Sequence, residues 1–238
     1  MCFLNIRTFI ILFLLIINVA YGQQEDINAK LKAYGIPEDY IISSLKDGEA
    51  LYYFTFRSVT WLPSKQGMEE IVEEGEFNPE LPIGERWKLL KINGKMPNKH
   101  EEKKFSKTQN TVNGNLNAEI DDHEYKIVED SENILKIRLK YKKETLPKRY
   151  EFLSKCSGLA YIDKDSKRLT QVEYRNESPV KIWGHRAIGL SLVQYFTFLA
   201  EENRYVIDRE EIDIEAETLA AGTSILYDIH YSNYRKVK

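Results

Sequence analysis

The chain has 238 residues, 42% apolar and 30% charged, an ordinary globular composition long enough for one large domain or two small ones. A formal charge of −3, with its lysine-rich patches surrounded by acidic residues, argues against nucleic acid or an anionic membrane as partner, since both require clustered cations. The N-terminus reads as an export signal. Arg7 precedes the apolar run Phe9–Ile17, and Ala20 and Gly22 are the small residues a signal peptidase reads, so cleavage is expected after Gly22. An uncleaved anchor is the alternative, although the apolar run is shorter than the ~20 residues a span requires. Cleavage removes Arg7 and Cys2, leaving 33 basic against 37 acidic residues and a single cysteine. An intramolecular disulfide is then impossible, and Cys156, with no histidine nearby, reads as a half-buried small hydrophobe.

Past the signal, Ile27, Leu31 and Tyr34 fall on one helical face, and Pro37 opens a second short helix carrying Ile41, Ile42 and Leu45. Residues 51–62 are rich in aromatic and β-branched side chains and predict a long strand. Alternation sorts Tyr53, Thr55, Arg57, Val59 and Trp61 from Tyr52, Phe54, Phe56, Ser58 and Thr60, leaving aromatics on both sides. Such a strand belongs in a sheet covered on both faces or curled around helices. Met68–Phe77 could be helical by its spacing, but Glu73 and Glu74 would then face the negative end of the helix dipole, which favours a strand pairing back on 51–62.

The segment Glu76–Phe105 is the most informative. Trp87, Leu89, Leu90 and Ile92 form a short strand between the prolines at 79 and 82 and the turn dipeptide Asn93-Gly94. Pro97 then suits the first position of a helix whose apolar contacts are only Met96 and Phe105, so that helix should lie on the surface or act as a mobile cover. The order Phe77-x-Pro79, then Gly84-Glu85-Arg86-Trp87-x-Leu89-Leu90-x-Ile92-Asn93-Gly94-Lys95-x-Pro97, resembles a family of uncharacterised exported bacterial proteins. The remaining sequence is similar to the LolA/LolB-like lipoprotein-carrier half-barrels. That resemblance implies an α+β fold, a curved antiparallel sheet with short helices in or over its concave face, and a periplasmic role in handling lipids or lipid-modified proteins. The Arg-Pro segment near the carriers' cavity mouth has no counterpart here.

Residues 107–121 are polar and asparagine-rich, a loop. Strands follow at Tyr125–Glu129, Ile134–Tyr141, Arg149–Leu153, Gly158–Asp163, Leu169–Arg175 and Val180–Gly184, in a meander within a single domain spanning 23–238. Between 188 and 199, Leu190, Leu192, Gln194, Phe196 and Phe198 share what reads as a dry face. Tyr205 and Ile207 have one parity and Ile212, Ile214 and Ala216 the other, so a bulge is expected near Asp208–Glu211. In the last strand Ile225, Tyr227, Ile229 and Tyr231 oppose Ser224, Asp228, His230 and Ser232.

No constellation for catalysis, metal or cofactor emerges. His100-Glu101 and His123-Glu124 lack a second histidine four positions after the first, and Ser191, two positions after Gly189, has Val193 where a nucleophile elbow requires its second glycine. Adjacent carboxylates such as Glu210-Glu211 point to opposite faces of a strand. What remains is an apolar sheet surface. Trp61, Trp87, Leu190, Leu192, Phe196, Phe198, Ile225, Tyr227 and Ile229 are the candidate wall of a concavity for acyl chains or a lipoprotein. Alternatives are a module of the same fold that binds another envelope protein and, more distantly, an atypical hydrolase.

Overall fold

A computed structural model describes residues 27–34, 52–109, 119–146, 148–182, 185–202, 204–217 and 224–237. The export signal and the second expected helix lie outside the described residues. One eleven-stranded antiparallel sheet organises the rest. Its strands are β1 (Tyr52–Ser64), β2 (Gly67–Phe77), β3 (Trp87–Ile92), β4 (Lys126–Asp130), β5 (Ile134–Leu139), β6 (Cys156–Asp163), β7 (Arg168–Asn176), β8 (Val180–Ile182), β9 (His185–Leu199), β10 (Arg204–Ala216) and β11 (Ser224–Lys236). The lateral order is β3-β2-β1-β11-β10-β9-β7-β6-β5-β4, with β8 paired to the start of β9. The sheet is therefore an open half-barrel ending at β3 and β4. It is not a simple meander: β1 pairs with β11, so the first and last strands meet inside the sheet. Register shifts interrupt five of its ladders, and each extra residue bends its strand. The bulge in β10 falls between Ile207 and Arg209, inside the expected interval.

All the described helices that pack on the sheet do so against the same face. The larger core fills the β4–β9 side, where Leu135, Ile137, Leu139, Ala160, Ile162, Leu169 and Val172 are almost fully buried. Residues 27–33 form α1, whose Ile27 and Leu31 enter this core as their four-residue spacing requires. Lys30 of α1 and Lys164 both hold Asp130 at the end of β4.

Lys148–Lys155 is a 3-10 segment against β6, β7 and β8, which corrects the expected strand at Arg149–Leu153. The three-residue spacing puts Tyr150 and Leu153 on one side, both against the core, where an alternating strand would separate them. Its end covers Cys156, whose Sγ lies 3.4 Å from the Phe152 carbonyl. Burial pushes that thiol up to about 12, so it is an inert packing residue.

The other side is built from the segment around Trp87. Asn93 adopts φ 48° and Gly94 φ 75°, the left-handed pair that reverses the chain after β3. Asn93 also clamps the turn to β2: its Oδ1 accepts the Val72 N–H at 2.7 Å and its own N–H donates to the Val72 carbonyl at 2.7 Å. Upstream, Arg86 Nε donates to the Leu81 carbonyl and the Asn78 N–H to the Arg86 carbonyl, fixing the prolines' loop.

The helix α2 (Lys99–Gln109) starts two residues later than Pro97 suggests, because Asn98 is its N-cap. Asn98 Oδ1 accepts from the N–H groups of His100 and Glu101, while Glu101 Oε2 accepts the Asn98 N–H at 2.7 Å, a reciprocal capping box. Among the described side chains of α2 only Phe105 is buried. It lies over the sheet with its ring parallel to Phe56, centroids 5.9 Å apart, in a second core cluster with Leu89. Gly75 makes this possible: a Cβ there would collide with the Phe56 ring and stand 2.6 Å from the Lys88 carbonyl.

Candidate functional site

Helices on one face define an inner surface, and the ladder registers say which side chains reach it. One lateral row runs Val172 (β7), Gln194 (β9), Glu210 (β10), Ile229 (β11), Ser58 (β1), Glu73 (β2) and Ile92 (β3). On one side of it lies the row Tyr174, Leu192, Ile212, Tyr227, Thr60 and Ile71. On the other side Phe196 pairs with Ile207, and Tyr231 with Phe56 and then Gly75. A polar row is thus flanked by two largely apolar ones.

The nine candidate wall residues separate into groups. Leu190 and Ile225 flank Ile214 and are buried to 4% and 5% exposure, so the protein's own core fills that end. Leu192, Phe196, Phe198, Tyr227 and Ile229 are half-buried against the larger core, and Ile229 also touches the smaller cluster. Phe198 is capped at the rim by Tyr205, 4.6 Å away, and by the Arg168 guanidinium, 4.4 Å from the ring centre. Trp87 belongs to an aromatic cluster with Phe54, Phe56 and Phe77, at centroid distances of 4.9–5.8 Å.

Trp61 stands apart. It pairs laterally with Glu70 and Leu226 on the outer face, and its Nε1 donates to Glu70 Oε2 at 3.1 Å. The alternation of β1 already separated Trp61 from Phe54 and Phe56; what decides the inward set is that Phe105 docks on Phe56.

Sequence reasoning passed over the polar residues of the inner face. Gln194 was grouped with a dry surface, yet it is 7% exposed and donates through Nε2 to Glu210 Oε1 at 2.7 Å. The Tyr231 hydroxyl donates to the other carboxylate oxygen at 2.6 Å. Ser58 and Thr60 are also buried. Glu73 is half-buried, and loss of hydration raises its carboxyl pKa, opposed by the Lys104 cation of α2. Tyr227 is pushed up by burial and further by the Glu73 charge.

The outer face is of another kind. Arg209 makes a two-pronged contact with Asp228 at 2.7 and 3.0 Å and a third with Glu211 at 2.8 Å, and Tyr195 donates to Glu211 at 3.1 Å. The Arg209 guanidinium lowers the Asp228 carboxyl. Glu210 and its neighbour Glu211 thus serve opposite faces, as strand alternation requires. Among the described residues no cluster of three metal-ligating side chains forms, and no helix is long and apolar enough to cross a membrane.

No family model and no curated protein matches the sequence. Among solved structures the chain is similar to a LolA superfamily protein from Nitrosomonas europaea, with 8% identity over 82% of this chain and 89% of that one and a TM-score of 0.38. A domain named as an outer membrane lipoprotein-sorting protein from Vibrio parahaemolyticus overlaps at 10% identity, 91% and 93% coverage and a TM-score of 0.38. A DUF1329 family protein from Desulfovibrio piger gives 9% identity, 90% and 92% coverage and a TM-score of 0.36. At this identity and overlap the likeness speaks to neither ligand nor activity.

Proposed function

We propose that the protein is a non-enzymatic binder, exported to the periplasm, that holds the acyl chain of a lipid or lipid-modified protein against the inner face of its half-barrel. One observation supports this reading above the others. Leu192, Phe196, Tyr227 and Ile229 lie on the helix-bearing face of an open sheet, packed against its cores, and stay half-buried while their neighbours in both cores are closed to solvent. An apolar strip of this kind suits a flexible chain, because each methylene taken from water contributes about 0.8 kcal/mol and no charged contact is required. Useful affinity follows from a few ordered carbons.

The test is native mass spectrometry of the purified protein. A population heavier than the chain by the mass of a lipid supports the reading. A protein that is empty, and remains empty after incubation with phospholipid vesicles, rejects it. An empty protein that captures an envelope protein by its polypeptide points instead to an interaction module of the same fold.

A further inference from the structure

Among the described residues, one fully buried side-chain oxygen on the inner face has no hydrogen-bond partner. Gln194 Oε1 is buried, with no hydrogen bond to it among the described residues, although the side chain is more than nine-tenths enclosed. Its orientation is fixed. Nε2 donates to Glu210 Oε1 at 2.7 Å, and rotating the amide would set oxygen against oxygen. Leaving a buried acceptor unsatisfied costs about 1–3 kcal/mol, so an orphan in this position calls for an explanation.

Its surroundings say what kind of group would satisfy it. The adjacent Glu210 accepts only from neutral donors, the Gln194 amide and the Tyr231 hydroxyl, and no cation pairs with it among the described residues. In the same lateral row, three strands and hence roughly 14 Å away, Glu73 adds a second carboxyl, but the Lys104 cation of α2 acts on it. At Gln194 and Glu210 the row therefore offers acceptors and negative charge between two apolar rows. A phosphate or carboxylate would be repelled there; a hydroxyl, amide N–H or ammonium would not.

We propose that the inner face is a site for an amphiphile whose polar part presents hydrogen-bond donors, with Gln194 Oε1 and Glu210 as the acceptors and Leu192, Phe196 and Ile229 against its apolar part. Binding requires side chains to turn rather than strands to part, since Leu192 and Phe196, one inward position either side of Gln194, are themselves partly open to solvent. The site rests on the acyl-chain reading and narrows it: the headgroup is recognised as a donor, not as an anion.

The experiment is isothermal titration of the full mature chain with 1-decanoylglycerol, decanoate and glycerol, all at concentrations where the amphiphiles are monomeric. The chains match and the headgroups differ. One buried donor–acceptor contact predicts about tenfold tighter binding of decanoylglycerol than of decanoate. In the double variant Gln194→Leu/Glu210→Leu that ratio should fall to about one, with decanoylglycerol weakened. Glu210→Gln, nearly the same shape, should narrow the gap from the other side by strengthening decanoate. Equal affinities in the natural protein, or a preference that survives both variants, overturn the proposal and leave an internal water as the partner of Gln194. Glycerol binding as tightly as decanoylglycerol overturns it in favour of a free polyol. If neither amphiphile binds, the acyl-chain reading itself has failed.

Discussion

Replacing Phe105 by alanine tests how the helix over the inner face is held. Its capping box organises the first turn, but an eleven-residue helix is marginal in water and needs a packed face. Phe105 is the one buried side chain described on α2, so its contacts supply most of the docking. Burying a phenylalanine contributes about 1.5–3 kcal/mol. The parallel approach to Phe56 at 5.9 Å adds about 0.5–1.5 kcal/mol more.

Phe105→Ala should therefore release α2 while the sheet stays folded, because Leu135, Ile137 and Leu139 belong to the other cluster. Hydrogen exchange followed by mass spectrometry reads this directly. Peptides covering 99–109 should exchange at close to unprotected rates, and peptides from β9 and β10 should keep their protection. Ile137→Ala is the contrast, with a global loss of about 2–5 kcal/mol. If α2 remains protected in Phe105→Ala, or if the whole sheet loses protection with it, the helix is not held by this single anchor and the reasoning is wrong.

Glu73 sets a pH dependence opposite to that of most carboxylates. Its folded pKa is raised, so its contribution is fully favourable below the unfolded value and is lost as pH rises through the folded one. Urea melts of Glu73→Gln against the natural protein should show the variant gaining relative stability as pH rises above 4.5, the ordinary value of a glutamate; a difference independent of pH contradicts the burial argument. Gly75→Ala should destabilise by about 1–3 kcal/mol, since the Phe56 ring and the Lys88 carbonyl occupy the space a methyl needs. A melt unchanged by Gly75→Ala would mean that the ring of Phe56 can move aside at no cost.

Periodicity made the sheet legible. β1, β2, β3 and β9 follow from alternation and turn chemistry, and the parity change between Ile207 and Ile212 announced the bulge of β10. The pairing of β1 with β11 was not legible, because it joins residues some 170 positions apart and no local pattern encodes a partner. The 3-10 segment at Lys148–Lys155 was misread because Tyr150, Phe152 and their neighbours also satisfy a short strand's alternation.

At the candidate site the limitation was the choice of face. Both sides of β1 carry aromatics, so Trp61 was grouped with a wall from which Phe105 and Phe56 exclude it. Glu210 could have been found by counting back two positions from Ile212, since both lie after the bulge. Gln194 was visible in the middle of an otherwise apolar series, but a lone glutamine says nothing of its partner until the β9–β10 register sets it beside Glu210.

The most direct test of the apolar inner face is a titration with a fluorescent neutral amphiphile, a monoglyceride of dansyl-undecanoic acid, against the natural protein and two aspartate variants. Phe196→Asp places a charge on the inner face, and Leu226→Asp places one on the outer face, where the leucine is already exposed. Saturable binding that Leu226→Asp retains and Phe196→Asp loses, both variants remaining folded by circular dichroism, is the predicted result. Binding that is absent, or that the two substitutions weaken alike, would contradict a ligand seated against the concave side.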